Sequence, residues 1–350
     1  MYVTPAPNRN DDPYYALRLG LTGLLAYLAV AILAPTLPPL VAALPIGLIA
    51  AQRKRFNPAK AFAGPIVMMV MVYAMSTLIE FLRPMPLVYI GSMWLIYFTG
   101  YYLILKTGAQ AGMLIIVTAL LMSVMGMHSN AILVSMRDGF IQASIVTLII
   151  IPIVFLIFPP KTLEQHVDEP VANDENVTAS AMVRATVLVG LSFYIYTVME
   201  PSDMMLTVIA ALVIVFPTRK SMIFEASQRI RATVYGCVAA AICLSLFSIT
   251  PHLIVVLLII FLVGIYFGTK MLDSIRPSMV YQYAFSVFLA LVAGSLASQD
   301  ATYAIYTRLL LTLAGAFAAA LAVAYFDWLL SGSHRRMAKG DQEHVNNGNA

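Results

Sequence analysis

The sequence predicts an all-α, polytopic membrane protein, on three observations. Of its 350 residues 61% are hydrophobic and only 11% charged, where a soluble domain carries about 25% charged residues. Apolar runs recur along the chain at about twenty residues, the length a helix needs to cross a hydrocarbon core of ~30 Å. No series of ten-residue alternating segments, the mark of roughly ten-residue barrel strands, is visible.

Taken in order, the runs give twelve spans. The first six are 14–34, 38–51, 58–82, 86–105, 109–127 and 137–158, and the second six are 179–199, 203–217, 224–247, 251–272, 276–298 and 302–330. Six spans is an even number, so two such halves have the same orientation and form parallel rather than inverted repeats. Between them lies the most hydrophilic interior stretch, 159–178, with Glu164, Asp168, Glu169, Asp174 and Glu175. Its acidic, proline-punctuated composition suits a flexible tether. Residues 1–13 and 331–350 read as tails, and the N-terminal one is too acidic, and too long before the first apolar run, for a signal peptide.

The basic residues orient the spans. With the N-terminus in the cytoplasm, eighteen of the 21 Lys and Arg fall on the cytoplasmic side, and only Arg83, Arg137 and Arg308 on the other. That bias follows the positive-inside rule, and it places both termini and the tether in the cytoplasm. Marker residues point to duplication. Arg18 and Gly23 answer Arg184 and Gly190; Ile96 to Gly100 (IYFTG) echoes Ile265 to Thr269 (IYFGT); and Arg137, opening the sixth span, answers Arg308 near the opening of the twelfth.

Several classes are excluded or disfavoured. The net charge of +4 comes from short loops between spans and does not indicate nucleic acid. Cys237 and Cys243, six residues apart in one helix, read as small core residues. There is no phosphate loop, no HExxH or GxSxG motif and no Cys/His cluster of metal spacing. No enzyme, cofactor or metal is expected.

The candidate functional residues each carry two readings. The second and eighth spans are short, and the second holds Pro45 and Gly47. Short or broken spans at matching places point to a midplane binding site, or equally to tilt and local thinning of the bilayer. Gly64 and Pro65 in the third span, with Gly236 in the ninth, are hinge or close-packing positions. Arg137 and Arg308 lie against the charge bias, with Asp138 and Asp300 as local counter-charges. Their guanidinium forks suit an anionic substrate, unless both residues merely snorkel to the interface. Tyr97, Tyr101, Tyr266 and Tyr281 stand in aromatic-rich spans and can stack on a flat ligand or form an interfacial belt. Glu80 joins Asp138 and Asp300 as a proton or ion-pair group, or as a loop residue in water.

Three segments resemble the fusaric acid resistance (FUSC-like) and aromatic carboxylic acid exporter proteins. They are Gln228 to Gly236 (QRIRATVYG), Tyr281 to Leu289, and Tyr306-Thr307-Arg308 running into Leu311 to Ala316. The resemblance implies a bacterial inner-membrane efflux component for aromatic or other organic acids. It also implies a periplasmic adaptor of the membrane-fusion type and an outer-membrane channel as partners, beside the lipid bilayer and further copies of the chain as a homo-oligomer. The chain looks like a short form, since larger relatives carry sizeable cytoplasmic domains. On this reading Arg137 and Arg308 attract a carboxylate while Tyr97 and Tyr266 meet the ring. The alternatives are a non-transporting scaffold of an envelope complex and an intramembrane lipid-modifying enzyme.

Overall fold

The computed structural model describes residues 12–51, 56–107, 110–160, 177–198, 219–249, 252–273 and 278–298. Their helices are α1 (Tyr15–Leu33), α2 (Pro38–Ala51), α3 (Pro58–Leu82), α4 (Pro86–Thr107), α5 (Gln110–His128), α6 (Asn130–Ile157), α7 (Val177–Val198), α8 (Arg219–Ile249), α9 (Leu253–Asp273) and α10 (Ser278–Ser298). No strand occurs among the described residues. Seven helices are long and apolar enough to cross a membrane, namely α1, α3, α4, α6, α7, α8 and α9, while α2, α5 and α10 have shorter apolar stretches. The expected spans 203–217 and 302–330, Arg308, Asp300 and most of the tether lie outside the described residues.

Local chemistry sets the helix ends. Pro38, Pro58 and Pro86 each open a helix, where a missing N–H leaves nothing unsatisfied. α1 stops at Ala34, a left-handed residue with φ 41° whose N–H closes on the Val30 carbonyl, and Pro35 follows it. At α6 the Ser129 hydroxyl accepts the N–H of Ile132, a standard N-cap. This cap starts α6 seven residues earlier than the apolar run indicates, because its first two turns carry Asn130 and Ser135. Arg137 therefore lies two turns inside the helix and does not open it. Gly64 and Pro65, read as a hinge or a close-packing position, lie within α3. α3 is continuous through both, with Pro65 buried, because packing on α5 and α6 holds the helix on either side of the one hydrogen bond that proline removes.

Packing crosses the tether. α1 packs on α9 and α2 on α10, whereas α7 packs on α4 and α5. Two hydrophobic cores result. One joins α3, α4, α5 and α7 with the first part of α6 (Leu133, Met136, Phe140). The other joins α1, α2, α8, α9 and α10 with its remainder, Ala143 to Phe155. The buried positions of α4 (Tyr89, Met93, Tyr97, Gly100, Tyr101, Leu105) lie 167 residues before buried positions of α9 (Val256, Ile260, Gly264, Phe267, Gly268, Leu272). The burial pattern of these two helices thus recurs at an interval of 167, whereas the strings IYFTG and IYFGT recur at 169. Identical letters set that match, whereas burial follows the helix face.

The α1–α9 contact depends on small residues. A Cβ on Gly20 would come within 2.8 Å of the Phe261 carbonyl, and one on Gly264 within 2.5 Å of Gly20 Cα. At the tether end of α1, Arg18 is fully buried. Its guanidinium pairs with the Asp12 carboxylate, donates to the Phe158 carbonyl at 3.2 Å and lies over the Phe155 ring. A buried guanidinium is tolerated only when so engaged.

Two substitutions separate packing glycines from free ones. Gly264→Val should lower the melting temperature of the detergent-solubilised protein by several degrees, an overpacking cost of about 1–3 kcal/mol. Gly47→Ala, where an added Cβ meets nothing within 4 Å, should leave it unchanged or raise it.

Candidate functional site

One group of polar residues lies at the end of the bundle away from Phe158. A recess of about 550 Å³ opens there between the α3–α4 turn and the start of α6, lined by Glu80, Arg83, Pro84 and Asn130. Residues seven apart on a helix share a face two turns, ~10 Å, apart. On α6 this puts Arg137 beneath Asn130, and on α3 it puts Tyr73 beneath Glu80. α3 and α6 pack together, and the Arg137 guanidinium lies 6.0 Å from the centre of the Tyr73 ring. Arg137 Nε donates to Asp138 Oδ1 at 3.1 Å, and the Asp138 side chain remains 45% exposed. Two turns below the recess lies an arginine that pairs with a carboxylate and approaches an aromatic face. Such an arginine can exchange a weak neighbouring contact for a substrate carboxylate.

A second face of α6 meets the α1–α2 turn. Leu37 seats on Gly139, where a Cβ would approach Leu37 to 2.5 Å. The N–H and hydroxyl of Thr36 donate to Gln142 Oε1 at 3.2 and 3.3 Å. Ser135, Asp138 and Gln142 share one face with Ile145, Ile149, Ile153 and Leu156, all of them exposed or half-buried. The polar third of this face begins where the turn ends, since α1 and α2 do not reach the start of α6.

The other expected residues are dispersed. Tyr97 is fully buried, its hydroxyl 2.9 Å from Ser123 Oγ. Tyr101 is fully buried too, between helices of the first core. Tyr266 is 56% exposed on the outer surface of α9, with Lys270 over its ring. Tyr281 packs parallel to Tyr235 and against Phe267. None of these four is brought to Arg137. Glu80 is exposed at the recess. Pro45 is buried inside an unbroken α2, and the Gly47 carbonyl accepts from Gln282 Nε2 of α10 at 3.4 Å. Gly64 lies half-buried in α3. Gly236 is a close-approach position, where a Cβ would come within 2.7 Å of the Ala284 carbonyl.

Sequence reasoning passed over Tyr73, Thr36, Ser135 and Gln142. Gln142 carried a usable signal, as a lone carboxamide inside an apolar run; Tyr73, an isolated tyrosine in a methionine-rich helix, carried none.

Cysteine substitution checks access to this face. Ser135→Cys should react quickly with a membrane-impermeant maleimide added on the recess side. The native Cys237 and Cys243, both buried, should stay unlabelled in the folded protein.

Residues 191–322 match the family model described as fusaric acid resistance protein-like. No curated protein and no solved structure matches the chain. All three segments that carry the resemblance, Gln228 to Gly236, Tyr281 to Leu289 and Tyr306 to Ala316, fall inside the match, which covers α8, α9 and α10 and leaves Arg137 outside it. The resemblance of these segments to fusaric acid resistance protein-like proteins is thereby shown over residues 191–322.

Proposed function

We propose that this protein is a multi-pass inner-membrane carrier that moves small aromatic or amphipathic organic acids out of the cytoplasm. The observation that carries the reading is Arg137, two turns inside α6, beside Tyr73 and below a recess bearing Arg83. An ionisable residue at such a depth marks a ligand or ion path more often than a structural need. In this reading Arg83 draws the anion into the recess and Arg137 takes its carboxylate in place of Asp138. Tyr73 offers its ring face to the substrate's apolar body. Arg308 and Asp300 are the second half's counterparts of Arg137 and Asp138.

The same reading includes twelve spans in two parallel repeats, with the termini and the tether in the cytoplasm. The crossed packing of α1 on α9 and α7 on α4 and the 167-residue burial register support a duplication. The charge bias supports the orientation. The match to the fusaric acid resistance protein-like family supports efflux, with a periplasmic adaptor and an outer-membrane channel as partners.

The test is transport by purified protein in liposomes. Arg137→Ala should raise the KM for benzoate roughly 10- to 100-fold, the loss expected for charge-assisted hydrogen bonds of about 1.5–3 kcal/mol, with the protein still in the membrane. Arg137→Lys, which keeps charge but not the fork, should fall between the two. Wild-type protein that carries no aromatic acid favours the scaffold; unchanged flux in Arg137→Ala removes Arg137 from the site.

A further inference from the structure

We infer that Lys106 and Lys270 each hold the phosphate of an anionic phospholipid, whose acyl chain lies along the apolar stripe leading to that lysine. Both sites lie outside the recess, and the inference does not depend on what the protein carries.

The two lysines stand at one end of the bundle. Lys270 precedes Met271, whose sulfur accepts the Tyr15 hydroxyl at 3.7 Å, and Tyr15 lies one turn before Arg18 at the Phe158 junction. α4 starts beside the recess, after Pro84. Lys106 lies twenty residues past Pro86, ~30 Å along the helix, and so at the end away from the recess, as Phe158 is. Each lysine is exposed in the last turn of its helix, where free carbonyls favour a cation. Neither forms an ion pair among the described residues, and Asp273, three residues past Lys270, does not close on it. Arg18, at the same end, has Asp12.

The stripes leading to the lysines step by four residues, so each follows one helix face. On α4 the rings of Trp94, Phe98 and Tyr102 stack in series, with centres 5.5 and 6.0 Å apart. The Lys106 ammonium ends the series, 5.2 Å from the centre of the Tyr102 ring, and donates to the Tyr102 hydroxyl at 3.0 Å. On α9, Leu258, Leu262 and Tyr266 are each more than half exposed, and the Lys270 ammonium lies 5.9 Å from the Tyr266 ring centre. A lysine that only sought water would extend its stem away from the helix. Here each is drawn back over a ring face, which holds the ammonium at the head of its stripe.

Length and chemistry together select the ligand. Trp94 to Lys106 and Leu258 to Lys270 are both twelve residues, ~18 Å of helix, about one leaflet of a hydrocarbon core of ~30 Å. An ammonium has three hydrogens to donate, and Tyr102 takes one from Lys106, which leaves two for phosphate oxygens. The ligand that satisfies both parts carries an anion at the head of a long apolar chain. A soluble anion would use the lysine and leave the stripe to other molecules.

Tryptophan quenching reads the α4 site directly. Trp94 and Trp328 are the two tryptophans of the chain, so Trp328→Phe leaves Trp94 as the reporter at the far end of its stripe. In phosphatidylcholine proteoliposomes, phosphatidylglycerol with brominated chains should associate at Trp94 roughly fivefold more strongly than brominated phosphatidylcholine, the preference one lysine supplies toward anionic lipid. Lys106→Gln should remove that preference and Lys106→Arg should retain it. With Trp94→Phe and Leu262→Trp added, the same measurement reads the α9 site, where Lys270→Gln should remove the preference and Lys106→Gln should not. Native mass spectrometry of the chain with both tryptophans intact repeats the comparison without a reporter: Lys106→Gln and Lys270→Gln should each cost one bound phosphatidylglycerol. Equal quenching by the two brominated lipids, or a preference and adducts that survive the glutamine variants, overturns the inference. Displacement of phosphatidylglycerol by inorganic phosphate or benzoate would make these sites for soluble anions and overturn it as well.

Discussion

The organisation of this protein depends on an exchange across the tether. α1 and α2 pack on α6 and also bury small and apolar faces on α9 and α10, while α7 goes the other way onto α4 and α5. Neither stretch of chain closes a core by itself. α6 belongs to both cores, its first turns in one and its last in the other, so it couples them mechanically. Non-polar attraction between helices is weak in lipid, and close approach does most of the work. The glycines that allow it, Gly20 against Gly264 and Gly236 against Ala284, therefore determine where the helices lie.

The site follows from a mismatch of lengths. α1 ends at a left-handed alanine followed by proline, and α2 has only fourteen residues. α6 has twenty-eight and projects past them. The projecting part packs on α3 and α5 through Leu133, Met136 and Phe140, and its remaining side carries Ser135, Arg137 and Asp138. The family motifs answer a different need. Gly236 lies under α10, and Tyr281 packs between Tyr235 and Phe267, so the matched region records how helices pack in the second half, while the recess and Arg137 lie in the first.

Hydropathy made the helices legible in the sequence, often to within two residues, because burial in lipid demands long apolar runs. It failed at α6, whose opening turns are polar and rely on a cap. Residue type alone could not say which way an aromatic points: Tyr97 and Tyr266 sit in similar five-residue strings, yet one is sealed inside a core and the other faces outward. Arg137 and Asp138 were legible because charge is conspicuous in an apolar run. Tyr73 and Thr36 were not, since their role comes from a neighbour far along the chain.

The Gly20–Gly264 approach also bears on how the protein is made. Gly20 and Phe261 are 241 residues apart in the chain yet in van der Waals contact distance. At about 5–20 residues per second of synthesis, the first helix waits roughly 12–50 s in the bilayer before its main partner exists. The Arg18 junction has a shorter wait, since Phe158 arrives 140 residues after Arg18. Along the growing chain, then, the partner at the base of α1 is made well before the partner of its glycine face.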